Sequence, residues 1–413
     1  MENCYWDRSR EIKMFKNKNI AIIGGGIIGL AVAYKLSAKG AHVHVFEKES
    51  SVGLHQSGRN SGVLHCGLYY QPGSLKAKLS VDGIREMISF CETYSIDHDV
   101  CGKVVVATTS KEVIALDQLA RRGNKNGLHG LKYLSPEELK LREPFVRAEK
   151  ALLVPEEGIV DYTAVMKKMV LLIQEKNGQV SYNTKVSSID QSSENEVVLS
   201  TTKSIYTFDY LVSCTGLWSD KTYTNLTQQK PPLRIVPFRG EYLKFKQGFE
   251  DRINHLVYPV PDAQFPFLGV HFTRMIDGTR EVGPNAVLAL KRDGYSKSSF
   301  SLKDSYESLT YPGLLRFIGD NFSFSINEFK SSLFKKDFIS KAQKMIPDVD
   351  VSMLENGPSG VRAQAISREG KLQMDFNIIR TGRQIHVLNA PSPGATASLA
   401  IASHIIENYL YKH

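Results

Sequence analysis

The chain has 413 residues, 42% of them hydrophobic and 23% charged. These are ordinary globular proportions that exclude wholesale disorder and a fibrous repeat, and the length predicts two or three structural units. Lys and Arg number 52 against 43 Asp and Glu, a formal charge of +9, which favours acidic small molecules or anionic lipid as partners.

No run of five or six like charges and no basic stretch interleaved with aromatics is present, so no nucleic-acid partner is expected. The five cysteines, Cys4, Cys66, Cys91, Cys101 and Cys214, have neither metal-ligand spacing nor the density of a disulfide frame. They predict free thiols in a reducing compartment and no metal. Residues 1–17 read as an N-terminal extension, with Met14 as an alternative start. Glu2, Asp7 and Glu11 make the segment a poor secretory or transit signal. The most apolar stretch, Ile20–Tyr34, is 15 residues with four glycines, short of the roughly 18 needed to span a bilayer. The chain thus reads as soluble and cytoplasmic.

Ile20–Ile23 is a short apolar run typical of a buried parallel strand. It leads into Gly24-Gly-Gly-Ile-Ile-Gly29, a G-x-G-x-x-G turn. Leu30, Ala33, Tyr34 and Leu36 then recur at helical spacing until Lys39-Gly40, and His42–Phe46 supplies a second strand ending in Glu47. In such a turn the first glycine permits the tight strand-to-helix reversal and the second lets a pyrophosphate approach the backbone. The third lets helix and sheet pack closely. The anion then meets free N–H groups and the positive end of the helix dipole. Glu47, 18 residues past Gly29, stands where a carboxylate accepts ribose hydroxyls. This arrangement predicts dinucleotide binding without separating NAD from FAD.

An NAD domain would next proceed to another helix and strand. Here Lys48-Glu49 leads instead to His55-Gln-Ser-Gly-Arg-Asn-Ser-Gly62. A loop of small residues and amides suits the ribityl chain and ring system of FAD, although a plain surface loop has the same composition. The segment His55–Ala77 resembles the one that follows the dinucleotide fold in L-2-hydroxyglutarate oxidases and dehydrogenases, flavoenzymes of the D-amino acid oxidase superfamily. The resemblance recurs at Pro237-Phe-Arg-Gly-Glu-Tyr242, His271–Gly278 and Glu281–Ala286. It continues at Gly357-Pro-Ser-Gly-Val-Arg-Ala-Gln364 and Asn389–Thr396, so it spans nearly the whole chain. Two departures stand out. Cys66 occupies a position where Ala or Ser is expected, and Asp293–Phe329 carries no recognisable motif.

The resemblance implies an α/β Rossmann-like FAD-binding domain, discontinuous over 18–90, 150–230 and 350–413. It is joined by an α+β substrate domain, 91–149 and 231–349, on a mostly antiparallel sheet. In that frame Asp161 opens an amphipathic helix, and Gln179–Val186 is a strand whose Val186 backbone meets the adenine. Tyr210–Gly216 is a strand ending in a second FAD fingerprint at Thr215-Gly216. A terminal helix, Gly394 to about Tyr411, begins at Ser392-Pro-Gly-Ala-Thr396 and aims its N-terminus at the flavin. The implied cofactor set is Gly24, Gly26, Ile28, Gly29, Glu47, Lys48, Asn60, Ser61, Val186, Thr215, Gly216, Pro393, Gly394, Ala395 and Thr396, with FAD bound noncovalently.

Oxidation of a 2-hydroxy acid needs a hydride acceptor, a base for the hydroxyl proton and cations for the carboxylate. By resemblance His65 lies beside the flavin, and a histidine suits a base near neutral pH. Arg362 matches the carboxylate-clamping arginine of similar amino acid oxidases, a role its guanidinium fork fits. A second carboxylate calls for another donor, with Arg239, Tyr258, His271 and Arg274 as candidates. The expected function is FAD-dependent oxidation of the small dicarboxylate L-2-hydroxyglutarate to 2-oxoglutarate, with oxygen or a membrane quinone as electron acceptor. Peripheral contact with the inner membrane is compatible with the basic charge. An amine, amino acid or other 2-hydroxy acid oxidase of the same superfamily is the alternative, and a non-catalytic flavin-binding protein is a third reading. The motifs leave the acceptor and the oligomeric state open.

Overall fold

The structure, a computed structural model, describes residues 15–190, 195–261, 269–320 and 335–411. Cys4, Met14 and most of the N-terminal extension lie outside them, as does the end of the motif-free tract. The chain divides into two compact units, residues 1–58, 162–233 and 376–413, and residues 59–161 and 234–375. The sequence reading placed the crossings at 90, 150, 230 and 350. Residues 59–90 instead join the second unit, because Val63–Leu64 pairs with Gly158–Val160 and the Asn126 amide donates to the Gly67 and Tyr70 carbonyls. Residues 350–375 also stay there, since the long strand Leu354–Ser367 pairs with Leu233–Phe245.

The first unit is built on a six-stranded sheet in the order 377–381, 384–389, 210–213, 19–23, 42–46, 179–181. All neighbours are parallel except the first pair. The near-continuous apolar runs of Asn19–Ile23 and Tyr210–Ser213 follow from burial on both faces. Helix Ile27–Ala38 packs against helices Tyr162–Glu175 and Ser398–Ile405. It buries Ile27, Leu30, Ala31, Val32, Ala33 and Leu36 and so carries little polar face. A separate antiparallel meander, 186–190, 197–201 and 205–208, closes over the sheet. Leu199 and Phe208 join Ala21, Phe46 and Leu211 in one core.

Two expected elements change here. Gln179–Val186 is not one strand: the backbone turns at Asn183 (φ 49°), where Asn183 and Thr184 donate to the Glu49 and Glu47 carbonyls. Val186 therefore opens the meander instead of ending a sheet strand. The terminal helix starts at Ser398, not Gly394, and passes after Ile405 into a wider turn, Ile406–Leu410. Pro391 and Pro393 have no N–H to give a helix, and residues 392–397 form successive turns.

The second unit carries a nine-stranded sheet. Its path runs 287–288, 233–245, 280–283, 271–274, 256–259, 103–107, 150–154, 132–134, with Leu354–Ser367 beside Leu233–Phe245. Along that path only Leu256–Pro259 and Lys103–Ala107 pair in parallel. Val104, Val106, Val257, Phe272 and Val282 form its core with Ile339 and Ile346. Each such side chain stabilises the fold by about 1.5–3 kcal/mol on burial. A small antiparallel sheet, Val63–Leu64, Gly158–Val160 and His98–Asp99, lies in the same unit. Gly158 makes it possible, because a Cβ there would stand 2.3 Å from the Asp99 carbonyl oxygen.

Two histidines of the first unit give its stability a pH dependence. Burial holds both His44 and His386 down to about 4, from an ordinary 6.5. Between those values the unfolded chain binds protons that the fold refuses, so stability is full above 6.5 and falls as pH drops through the window. Urea unfolding at pH 7.5 and pH 5 is expected to show a lower midpoint at pH 5. The drop should be smaller in His44→Gln, whose amide replaces the imidazole contact with the Ser181 hydroxyl.

Candidate active site

In the first unit the glycine turn sits at the ends of the parallel strands. Gly24 has φ 104°, and a Cβ there would meet the Cys214 carbonyl oxygen at 2.5 Å. One on Gly29 would stand 2.1 Å from the Gly24 oxygen. Gly26 caps helix Ile27–Ala38, and the Ile27 N–H donates to Ser57 Oγ at 3.1 Å. Ile28 is half-buried one residue further on. Glu47 is buried at the end of its strand. Its Oε2 accepts the Gly25 N–H at 2.7 Å and its Oε1 the Glu49 N–H at 2.9 Å. Across the sheet end, Thr215 keeps a buried hydroxyl that no protein group satisfies. Gly216 (φ 49°) faces Gln56 so closely that a Cβ would come within 2.8 Å of its amide oxygen.

A backbone cradle, a helix N-terminus, an anchored acid and an orphaned hydroxyl fit a dinucleotide such as FAD. The other residues expected to contact the cofactor are placed variously. Lys48 pairs with Glu49 and lies 3.1 Å from His55 Nε2. Pro393, Gly394 and Ala395 sit in the turns before the last helix, and Thr396 Oγ1 is 2.6 Å from the Tyr162 hydroxyl. Asn60 and Ser61 belong to the second unit, where Asn60 Oδ1 accepts the Gly62 N–H.

In the second unit His65 follows the small-sheet strand Val63–Leu64, and Glu157 precedes its partner strand. Leu64 pairs with Gly158, so the next antiparallel step sets His65 opposite Glu157. Their Nδ1 and Oε2 are 3.4 Å apart. Lys103 Nζ reaches the same oxygen at 2.6 Å, with both side chains wholly buried. Burial raises the Glu157 carboxyl, but the Lys103 charge and the His65 contact outweigh it and hold it well below the usual carboxylate range. The Lys103 ammonium also lies over the rings of Tyr69 and Tyr258, at 4.4 and 4.9 Å.

Tyr258 and His271 are neighbours across paired strands and stack at 4.0 Å, while Tyr258 meets His65 edge-on at 6.2 Å. The Tyr258 phenol lies beside Thr273, and burial pushes its pKa well up. His271 is buried, its Nδ1 3.0 Å from the Gly269 oxygen. Arg362, on Leu354–Ser367, contacts the Tyr242 hydroxyl on the adjoining strand.

Two expected cations are spent elsewhere. Arg239 gives Nε and Nη2 to Glu241 Oε1 at 3.1 and 2.9 Å and Nη1 to the Ser296 carbonyl. It is an internal brace instead of a free clamp, and Arg274 is paired with Asp99. Sequence reasoning missed Glu157 and Lys103. A lysine opening the apolar run Val104–Val106 was the available signal, whereas Glu157 in Pro155-Glu-Glu-Gly158 looks like any turn acid. Arg239→Met is expected to lower stability by about 1–3 kcal/mol by stripping Glu241 of its principal donor. Urea unfolding reads this directly.

A family model for FAD-dependent oxidoreductases matches residues 19–408. The L-2-hydroxyglutarate dehydrogenase of Indibacter alkaliphilus is 44% identical over 94% of this chain and 98% of its own. That of Escherichia coli K12 is 42% identical over 94% and 92%. The human mitochondrial L-2-hydroxyglutarate dehydrogenase is 40% identical over 98% and 90%. Among solved structures, L-α-glycerophosphate oxidase from Mycoplasma pneumoniae superposes with a TM-score of 0.76 at 23% identity, covering 96% of each chain. Glycine oxidase from Geobacillus kaustophilus gives 0.71 at 17%, again with 96% of each covered. These two share the fold. With the glycine cradle, the anchored acid and a match running almost end to end, this chain belongs to the FAD-dependent oxidoreductase family, in the branch of the L-2-hydroxyglutarate dehydrogenases.

Proposed function

We propose that this chain oxidises L-2-hydroxyglutarate to 2-oxoglutarate with noncovalent FAD. The observation that carries the reading is the identity of 40–44% to L-2-hydroxyglutarate dehydrogenases over nearly the full length of both chains. Gly24, Gly26, Ile28, Gly29, Glu47, Lys48, Thr215 and Gly216 hold the dinucleotide, with the turn Pro393–Thr396. Glu47 keeps its two backbone donors and offers its remaining lone pairs to ribose hydroxyls. FAD, when bound, supplies the acceptor for the hydride leaving C2.

The remaining tasks fall to side chains of the second unit. His65 takes the hydroxyl proton, so that loss of hydride and proton together leaves the 2-oxo acid. Arg362 pairs with the carboxylate next to the reacting carbon through two parallel N–H bonds. His271, stacked on Tyr258, serves the distal carboxylate, a role for which the braced Arg239 is less suited. The electrons then pass to oxygen or a quinone. Oxygen uptake measured against reduction of a soluble quinone decides which. The basic charge supports a peripheral contact with anionic lipid, and among the described residues no helix is long and apolar enough to cross a membrane.

Anaerobic titration of the FAD-loaded protein with L-2-hydroxyglutarate is expected to bleach the oxidised flavin band, near about 450 nm. D-2-hydroxyglutarate and L-glutamate should leave it unchanged. Bleaching by L-glutamate alone would favour the amino acid oxidase reading, and bleaching by none of the three would remove the substrate. Arg362→Met is expected to raise KM by about 10- to 100-fold, the cost of one charge-assisted carboxylate contact. Its FAD content should be unchanged, and steady-state kinetics with flavin absorbance reads both.

A further inference from the structure

Glu157 and Lys103 are wholly buried, and neither has a task in the reaction as proposed. Burying two charges costs several kcal/mol of desolvation each, and an apolar pair of similar volume would serve stability as well or better. Their geometry suggests another reason for them. The Glu157 backbone is held by its carbonyl, which accepts the Gly102 N–H at 2.7 Å, and by strand pairing at Gly158. Its Oε1 accepts both the N–H and the S–H of Cys66, at 3.3 and 3.2 Å. That fixes the carboxylate plane and leaves Oε2 between Lys103 Nζ and His65 Nδ1. The Tyr258 ring stands edge-on to that imidazole at 6.2 Å.

We propose that Glu157 is a positioning residue whose carboxylate, 3.4 Å from His65 Nδ1, favours the proton on that nitrogen, selects that neutral tautomer and so makes Nε2 the nitrogen that takes the substrate proton. Lys103 balances the carboxylate charge, so Glu157 can be buried and ionised without itself drawing the proton away from the imidazole. The inference rests on the reading of His65 as the base. The general logic is that of a buried carboxylate behind a catalytic histidine, where loss of the carboxylate leaves the wrong tautomer.

The test uses the FAD-loaded full chain. In Glu157→Gln, kcat with L-2-hydroxyglutarate is expected to fall by about 10- to 100-fold while KM stays within about two-fold of the parent, the split of a group that acts on the chemical step alone. The ¹⁵N resonances of the His65 imidazole should change from a single Nδ1–H tautomer to a mixture. Because Glu157→Gln strands the Lys103 ammonium, the double variant Lys103→Met/Glu157→Gln removes both charges together. It is expected to keep the parent's circular dichroism and to show the same slow kcat and mixed tautomers. A folded variant that retains the parent's kcat, or one that is slower yet keeps a pure Nδ1–H tautomer, overturns the proposal. If the parent does not oxidise L-2-hydroxyglutarate, the substrate reading fails by itself. The tautomer comparison then still judges Glu157.

Discussion

The rim of the parallel sheet in the first unit is closed by three backbone hydrogen bonds. Gly24 N–H donates to Phe46 O, Cys214 N–H to Ile23 O and Glu47 N–H to Ser181 O. They bring four strand ends to one line, and at such a rim ligands of open α/β sheets are bound. The demands on the sequence follow from that closeness. Gly24 has no room for a Cβ against Cys214, nor Gly29 against Gly24. The acid at 47 must end its strand where its oxygens meet the Gly25 and Glu49 amides. The glycine pattern is thus a packing requirement first, and exposed backbone for a ligand is what the packing leaves.

The second unit solves a different problem, that of keeping charge inside a sheet. Arg239 is neutralised by Glu241 two residues along the same strand, and Asn285 donates to the other oxygen of that acid. Lys103 is neutralised by Glu157 from the turn between strands 150–154 and 158–160. The first pair is local and braces one strand. The second ties a large-sheet strand to the turn that enters the small sheet, and it ends against a histidine. Similar electrostatics thereby give a brace in one place and an oriented imidazole in the other.

Much of the first unit was legible in the sequence, because its strands are short apolar runs set off by glycines. Asn19–Ile23, His42–Phe46 and Tyr210–Ser213 fall where periodicity and turn residues put them. The errors lie where local signals give way to tertiary pairing. Nothing near Val186 announces the turn at Asn183, which depends on amides reaching back to the strand end at residues 47–49. Asn60 and Ser61 lie in the loop His55–Gly62 that follows the first unit's second strand in sequence, yet partnership of Val63–Leu64 with Gly158–Val160 carries the chain into the other unit. The prolines at 391 and 393 remove N–H groups that an earlier helix start would need, so the helix waits until Ser398. Among site residues, His65 and Arg362 came from family likeness. Glu157 is 92 positions from His65, and only strand register sets them opposite one another.

The S–H of Cys66 points at a carboxylate. Burial first, and then the neighbouring negative charge of Glu157, push its pKa well up. Burial likewise raises Cys91 and Cys214 to about 12 and Cys101 to a lesser degree. Peroxides and alkylating agents attack thiolates and leave thiols largely alone. Every cysteine among the described residues is therefore held as the protonated thiol at neutral pH, the form that peroxides and alkylating agents attack least.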